Sequence, residues 1–307
     1  MVLPTTPSRP FGAVLTAMIT PMTPAGDVDL DAAARLAKRL VDDGNDGLVL
    51  SGTTGESPTT HAPEKADLVA AVVEAVGDRA TVVAGACSND TDHALRMAAQ
   101  AADAGADGLL VVSPYYSRPN QEGLYRHFVA IADETELPVM LYDIPGRAGV
   151  RIAPQTYDRL AAHERIVATK DATGDLYAVA RLTASTGLAF YSADDGLLLP
   201  FLAHGGAGVV SVSAHVVADR FAEVVRRFDA GDHVGALEVF RTVTPVIDAI
   251  NGAGFQAVMA KAAVELIGVT DNRAMRLPYV AADSGDVALM RDALAAAGVL
   301  DPVTTTN

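Results

Sequence analysis

Asp43-Gly44-Asn45-Asp46-Gly47-Leu48-Val49-Leu50-Ser51-Gly52-Thr53-Thr54-Gly55-Glu56-Ser57 holds, in order, the exit from a helix, a short apolar strand and a glycine-rich loop. Gly44 follows a helical pattern over Asp29–Asp43, and a glycine at that place ends a helix and turns the chain. Gly47–Leu50 is apolar and too short for a helix, so it reads as a buried strand. The same punctuation returns in Ala104-Gly105-Ala106-Asp107-Gly108, ahead of the run Gly108–Val112. Further β-type runs stand at Gly12–Met18, Thr81–Gly85, Val139–Asp143, Ile166–Lys170, Leu188–Ser192 and Gly208–Val212. Helical patterns lie between them, among others at Pro63–Val76, Thr91–Ala104 and Gly123–Thr135. Short buried strands alternating with amphipathic helices imply parallel βαβ units. Eight such units fit a closed barrel. The alternative, an open doubly wound sheet, usually places a dinucleotide-binding glycine fingerprint after its first strand. Here that place reads Thr20-Pro21-Met22-Thr23-Pro24. The expected fold is therefore an α/β protein, a (β/α)8 TIM barrel over residues 10–217, with a C-terminal helical extension over 218–300. Residues 1–9 and 301–307 read as frayed tails.

Composition narrows the function. At 307 residues the chain is long enough for two domains, but single barrels of ~250 residues are common. Hydrophobic residues make up 50% and charged residues 20%, a globular balance. A net charge of -15 argues against nucleic acid or an anionic membrane as the main partner. Cys87 is the single cysteine, which excludes an intramolecular disulfide and a cysteine-rich metal site. The first residues lack the basic and apolar regions of a signal peptide, and no apolar stretch approaches the ~18 residues of a membrane span. The expected location is the cytoplasm.

In a barrel, function lies at the C-terminal ends of the strands. The sixth run, Arg165-Ile166-Val167-Ala168-Thr169-Lys170, ends in a lysine, although the 23 Lys+Arg of the chain include only Lys38, Lys65, Lys170 and Lys261 as lysines. A lysine partly withdrawn from water is easier to deprotonate, and the free amine condenses with ketones. The plainer reading is a strand-end lysine snorkelling to solvent. The other strand ends favour chemistry. The loop Ser51–Ser57 offers hydroxyls and backbone N–H groups around Gly52 and Gly55, a small anion nest suited to a carboxylate. It lacks the Gly-Lys-Ser/Thr ending of a phosphate loop. The fourth strand leads into Ser113-Pro114-Tyr115-Tyr116-Ser117-Arg118-Pro119 and the fifth into Tyr142-Asp143-Ile144-Pro145-Gly146-Arg147. Phenols relay protons, and arginine forks onto carboxylates. The seventh strand leads into Ala193-Asp194-Asp195, an acidic pair able to hold Mg²⁺ but thin evidence for it. The histidines show no zinc-ligand spacing. The Gly205-Gly206 turn precedes the eighth strand and so belongs to the opposite face. An amine, phenols, hydroxyls, an anion nest and an arginine suit imine chemistry on a small keto acid, with no metal and no cofactor expected.

Four segments carry a resemblance. Gly52-Thr53-Thr54-Gly55-Glu56-Ser57, Pro114-Tyr115-Tyr116-Ser117-Arg118-Pro119-Asn120-Gln121-Glu122-Gly123-Leu124, Tyr142-Asp143-Ile144-Pro145-Gly146-Arg147 and Lys170-Asp171-Ala172-Thr173-Gly174 resemble the 4-hydroxy-tetrahydrodipicolinate synthase family, also called dihydrodipicolinate synthases. The resemblance runs from about Phe11 to Leu300. It implies a class I aldolase-type lyase of lysine and diaminopimelate biosynthesis that condenses pyruvate with L-aspartate-4-semialdehyde through a Schiff base on Lys170. It further implies a proton relay of Thr53, Tyr116 and Tyr142, with Tyr116 lent across a dimer interface. Thr54 and the adjoining Gly55 would bind the pyruvate carboxylate, Val210 would line the pyruvate pocket and Arg147 would take the semialdehyde carboxylate. The family's usual assembly is a homotetramer, a dimer of dimers.

Arg147 favours the synthase over the related N-acetylneuraminate lyase and 2-keto-3-deoxygluconate aldolase, which resemble it in the lysine and the strand-five tyrosine but lack this arginine. A keto-acid-binding barrel without turnover is a further alternative, and it would need no relay. The chain departs from the family's pattern in two places. Where feedback-inhibited relatives bind lysine, it carries Pro58, Ala62, Lys65 and His93, so weak or absent inhibition by lysine is expected. Ala193 stands where relatives often carry glycine, and a methyl there could crowd the pocket slightly.

Overall fold

A computed structural model describes residues 7–252 and 254–301. The outer parts of the expected tails, residues 1–6 and 302–307, lie outside the described residues. The strands are β1 (Val14–Ala17), β2 (Gly47–Leu50), β3 (Thr81–Gly85), β4 (Gly108–Val112), β5 (Val139–Asp143), β6 (Ile166–Asp171), β7 (Ala189–Ser192) and β8 (Gly208–Ser211). They form a closed parallel barrel in sequence order, and β8 pairs with β1 through Val210 opposite Leu15. Nearly every strand residue is buried, as expected of parallel strands covered on both faces.

The helices are α1 (Leu30–Asp42), α2 (Ala62–Val76), α3 (Thr91–Asp103), α4 (Gln121–Asp133), α5 (Pro145–Ala148), α6 (Pro154–Leu160), α7 (Leu176–Thr186), α8 (Leu198–Ala203), α9 (Ala214–Asp229), α10 (His233–Gly252), α11 (Gln256–Leu266) and α12 (Ser284–Ala296). Short polar side chains start several of them by satisfying free N–H groups. Asp29 accepts from Ala32, Asn120 from Gly123 and Asp175 from Ala178. Each such cap is worth about 1 kcal/mol. The expected division at 217/218 falls within α9, at Val217, where φ -139 and ψ 29 interrupt the helix. None of the described helices is long and apolar enough to cross a membrane.

Three strands are shorter than their apolar runs, each for a local reason. The Asp46 carboxylate accepts from the N–H groups of Ala13 and Val14, so the first run is held by a side chain before it enters the ladder. The Leu188 N–H donates to Thr186 Oγ1, which delays β7 to Ala189. Ser211 Oγ accepts from the Ala214 N–H and starts α9, so β8 stops before Val212.

The C-terminal segment returns to the barrel mouth. Arg276, between α11 and α12, donates to the carbonyls of Gly26 and Thr59 and pairs with Glu64 at 2.5 Å. Lys261 of α11 pairs with Glu56 at 2.5 Å, both buried, and also donates to the Ala274 carbonyl. These contacts tie the loop after β2, where the anion nest was expected, to the helical extension.

Candidate active site

Tyr142 and Lys170 occupy opposite positions on the paired strands β5 and β6, one residue before each strand ends. The Lys170 Nζ lies 4.6 Å from the centre of the Tyr142 ring. The neighbours Asp143 and Asp171 also pair, and they point to the other face of the sheet because side chains alternate. There Asp143 accepts from the Tyr157 hydroxyl and the Ile152 N–H, and burial beside Asp171 pushes its carboxyl up to about 7.

Burial lowers the Lys170 ammonium to about 8, from an ordinary 10.5. Negative charge on Cys87, when it is a thiolate, and on the Asp195 carboxylate pulls it back up, and the Arg147 charge adds to the lowering. Among the described residues no carboxylate forms an ion pair with Lys170, whereas Lys261 is paired with Glu56. The amine is therefore available rather than committed to a partner. Burial also pushes the Tyr142 phenol up to about 12, against the opposing influence of the Thr53 hydroxyl and Arg147. Tyr142 thus keeps its proton at neutral pH and can give or take one in a relay.

Tyr142 borders a cavity of about 200 Å³, and Lys170 lies behind that ring rather than on the cavity wall. Thr53, Tyr142 and Arg147 stand on its wall with Cys87, Tyr115 and Tyr279. Arg147 is carried by α5, a single turn entered through Pro145 and closed by Gly149 at φ 74. A Cβ on Gly149 would fall 2.6 Å from Arg118 Nε, so glycine lets the two loops meet there. Thr54 and Val210 are buried and do not form part of the cavity wall, and neither does Gly55. Tyr116 points away from the cavity of its own chain. It is 90% exposed and sits at φ 70, a conformation that costs a bulky side chain strain.

The loop after β2 is a narrower nest than its composition implies. The N–H groups of Glu56 and Ser57 are consumed in turns, donating to the carbonyls of Thr53 and Gly52. Among the described residues no protein acceptor meets the N–H of Thr54 or Gly55. Thr20 Oγ1 donates to the Gly55 carbonyl and helps hold the loop open. Gly85 of β3 is required beneath it, since a Cβ there would lie 2.4 Å from the Ser51 carbonyl oxygen.

The acidic pair after β7 has separate tasks. Asp194 caps the turn Asp195–Leu197 by accepting from the Gly196 N–H. Asp195 is buried and accepts from the Ser213 N–H at 2.9 Å and hydroxyl at 2.6 Å, while its Oδ1 has no partner among the described residues. No group of metal-ligating side chains gathers among the described residues. Ala193 donates its N–H to the Asp171 carbonyl, packs at the edge of the core and is not on the cavity wall. Cys87, Phe255 and Tyr279 were not legible as site residues, and Asp195 was legible only as half of an acidic pair. For Phe255 and Tyr279 the available signal was two aromatics among glycine and proline, in a chain with 5% aromatic residues.

Fold and site together define a (β/α)8 barrel with a cavity at the C-terminal strand ends and a buried amine against Tyr142, which stands on the cavity wall. Comparison with known proteins narrows this class. The chain belongs to the dihydrodipicolinate synthetase family, which it matches over residues 10–297. A 4-hydroxy-tetrahydrodipicolinate synthase of Bifidobacterium animalis subsp. lactis is 51% identical over 291 residues, covering 95% of each chain. One from Acidothermus cellulolyticus is 54% identical, covering 94% of this chain and 93% of that protein. The crystal structure of the dihydrodipicolinate synthase from Cyanidioschyzon merolae with lysine bound superposes with a TM-score of 0.92 at 38% identity, covering 95% of this chain and 100% of that one. The chloride-inhibited enzyme from Acinetobacter baumannii, complexed with pyruvate, gives a TM-score of 0.90 at 32% identity, covering 95% of this chain and 100% of that one.

Proposed function

We propose that this chain is a lyase that condenses pyruvate with L-aspartate-4-semialdehyde to 4-hydroxy-tetrahydrodipicolinate, in lysine and diaminopimelate biosynthesis. The observation that carries the reading is the Lys170 amine, lowered to about 8 by burial and set 4.6 Å from the Tyr142 ring. The neutral amine adds to the pyruvate ketone, and loss of water gives an imine. Deprotonation of the methyl carbon gives an enamine, which forms the new carbon–carbon bond at the aldehyde. The substrate's own amine then displaces Lys170 and closes the ring. One water leaves overall and the lysine is regenerated.

Each proton in this sequence needs a carrier. Tyr142 serves the imine, with Thr53 beside it on the cavity wall. Tyr116 completes the relay in the cavity of a second copy. Its exposure and its φ of 70 support that reading, because the loop displays the ring outward at a conformational cost. The open N–H groups of Thr54 and Gly55 take the pyruvate carboxylate, with Val210 behind it. Arg147 takes the carboxylate of the semialdehyde. The assembly is a homotetramer built as a dimer of dimers. The reaction belongs in the cytoplasm, where a free thiol such as Cys87 stays reduced.

A turnover assay with purified chain tests the reading. Pyruvate should be consumed with the semialdehyde and not released from N-acetylneuraminate or 2-keto-3-deoxygluconate. The reverse preference would assign the site to a different aldolase.

A further inference from the structure

The C-terminal extension brings two aromatic rings to the cavity mouth. Phe255 directly precedes α11, and Tyr279 lies between α11 and α12 on the cavity wall. Their rings stack with centroids 4.2 Å apart and planes at 15°. The guanidinium carbon of Arg147 sits 5.5 Å from the centre of the Phe255 ring. Arg147 is exposed, and among the described residues no carboxylate pairs with it. An ion pair would occupy the donors that a substrate needs. A ring face holds the cation without using any of its N–H groups, and so leaves the fork free for a carboxylate.

The arrangement also addresses mobility. Arg147 stands on a single turn, α5, with a long side chain that solvent alone would leave free. Contact with Phe255 restricts it, and Tyr279 behind Phe255 fixes the plane of the ring. We infer that Phe255 and Tyr279 are positioning residues that hold the Arg147 fork over the cavity, and that they set the preference of the second-substrate site for a short aldehyde bearing a carboxylate. The inference rests on the condensation reading of the site.

The test is steady-state kinetics on the full chain, with pyruvate and the semialdehyde varied separately. Phe255→Ala and Tyr279→Ala should raise KM for the semialdehyde about fivefold, the scale of an exposed cation–π contact. KM for pyruvate and borohydride trapping of pyruvate should not move. Phe255→Trp should restore the wild-type value. In an Arg147→Ala background, Phe255→Ala should have no further effect, because it acts only through the guanidinium. An unchanged semialdehyde KM in the single variants overturns the inference. So does an equal effect with and without Arg147, or a parallel rise in the pyruvate KM. If the wild-type chain traps no pyruvate, the condensation reading itself fails and takes the inference with it. Normal trapping with an unmoved semialdehyde KM sinks the inference alone.

Discussion

Tyr142 and Lys170 face one another across the β5–β6 ladder, with the lysine Nζ 4.6 Å from the centre of the phenol ring. This fixes the separation of the proposed nucleophile and proton carrier by backbone register. Neither depends on a mobile loop, and the neighbouring strand ends add the remaining groups.

Lowering of Lys170 to about 8 gives the reaction a signed pH dependence. The neutral amine is the nucleophile, so the rate of imine formation should rise with pH and level off above about 8. Asp195 favours the ammonium, so Asp195→Asn should move this limb to lower pH. A limb that stays in place or moves upward contradicts the assignment. The same shift affects stability. Between about 8 and 10.5 the unfolded chain binds more protons at this lysine than the folded one, so stability rises with pH across that window. Below it the buried ammonium is a standing cost, and Lys170→Met should stabilise the fold at neutral pH by about 3 kcal/mol at most, while ending activity. Urea denaturation at neutral pH and near 10.5 measures the difference, which should vanish at the higher value.

Lys261 is the sole described cation paired with Glu56 through an ion pair of buried side chains. Lys261→Met strands the Glu56 carboxylate in the interior and should cost about 3–5 kcal/mol in chemical denaturation. Because Glu56 adjoins Gly55, KM for pyruvate should rise as well. A loss below 1 kcal/mol (about the worth of a surface pair) would show that the pair is solvated.

Tyr116 should act in trans. Tyr116→Phe and Lys170→Ala variants, each nearly inactive, should regain partial activity when mixed under conditions that let subunits exchange. In a hybrid dimer one cavity then has an intact Lys170 and the other subunit's intact Tyr116. No recovery after demonstrated exchange counts against the shared site.

Lysine should inhibit weakly. The Lys65 ammonium is fixed toward Ser57, donating to its carbonyl at 3.0 Å and its hydroxyl at 3.2 Å. It would repel a second ammonium, and His93 offers no carboxylate to attract one. Half-inhibition below millimolar lysine in the condensation assay contradicts this.

The barrel was legible because its strands are buried on both faces and read as apolar runs between glycine and aspartate. The bounds of β2, β3, β4 and β5 follow directly from that pattern. The start of β1 did not, because Asp46 intercepts the N–H groups of Ala13 and Val14 from far along the chain. Lys170, Tyr142, Thr53 and Arg147 could be picked out because a barrel places strand ends together. Phe255 and Tyr279 could not. They reach the mouth from a helical extension whose path no local pattern encodes. Asp194 and Asp195 looked like a pair in sequence, yet one caps a turn and the other turns inward to Ser213.

The central claim is an imine between pyruvate and Lys170, and borohydride reduction followed by intact-mass and peptide analysis tests it most directly. One reduced pyruvyl adduct per chain, located on Lys170 and absent from Lys170→Arg, is the expected result. No adduct, or an adduct on Lys38, Lys65 or Lys261 instead, would contradict it.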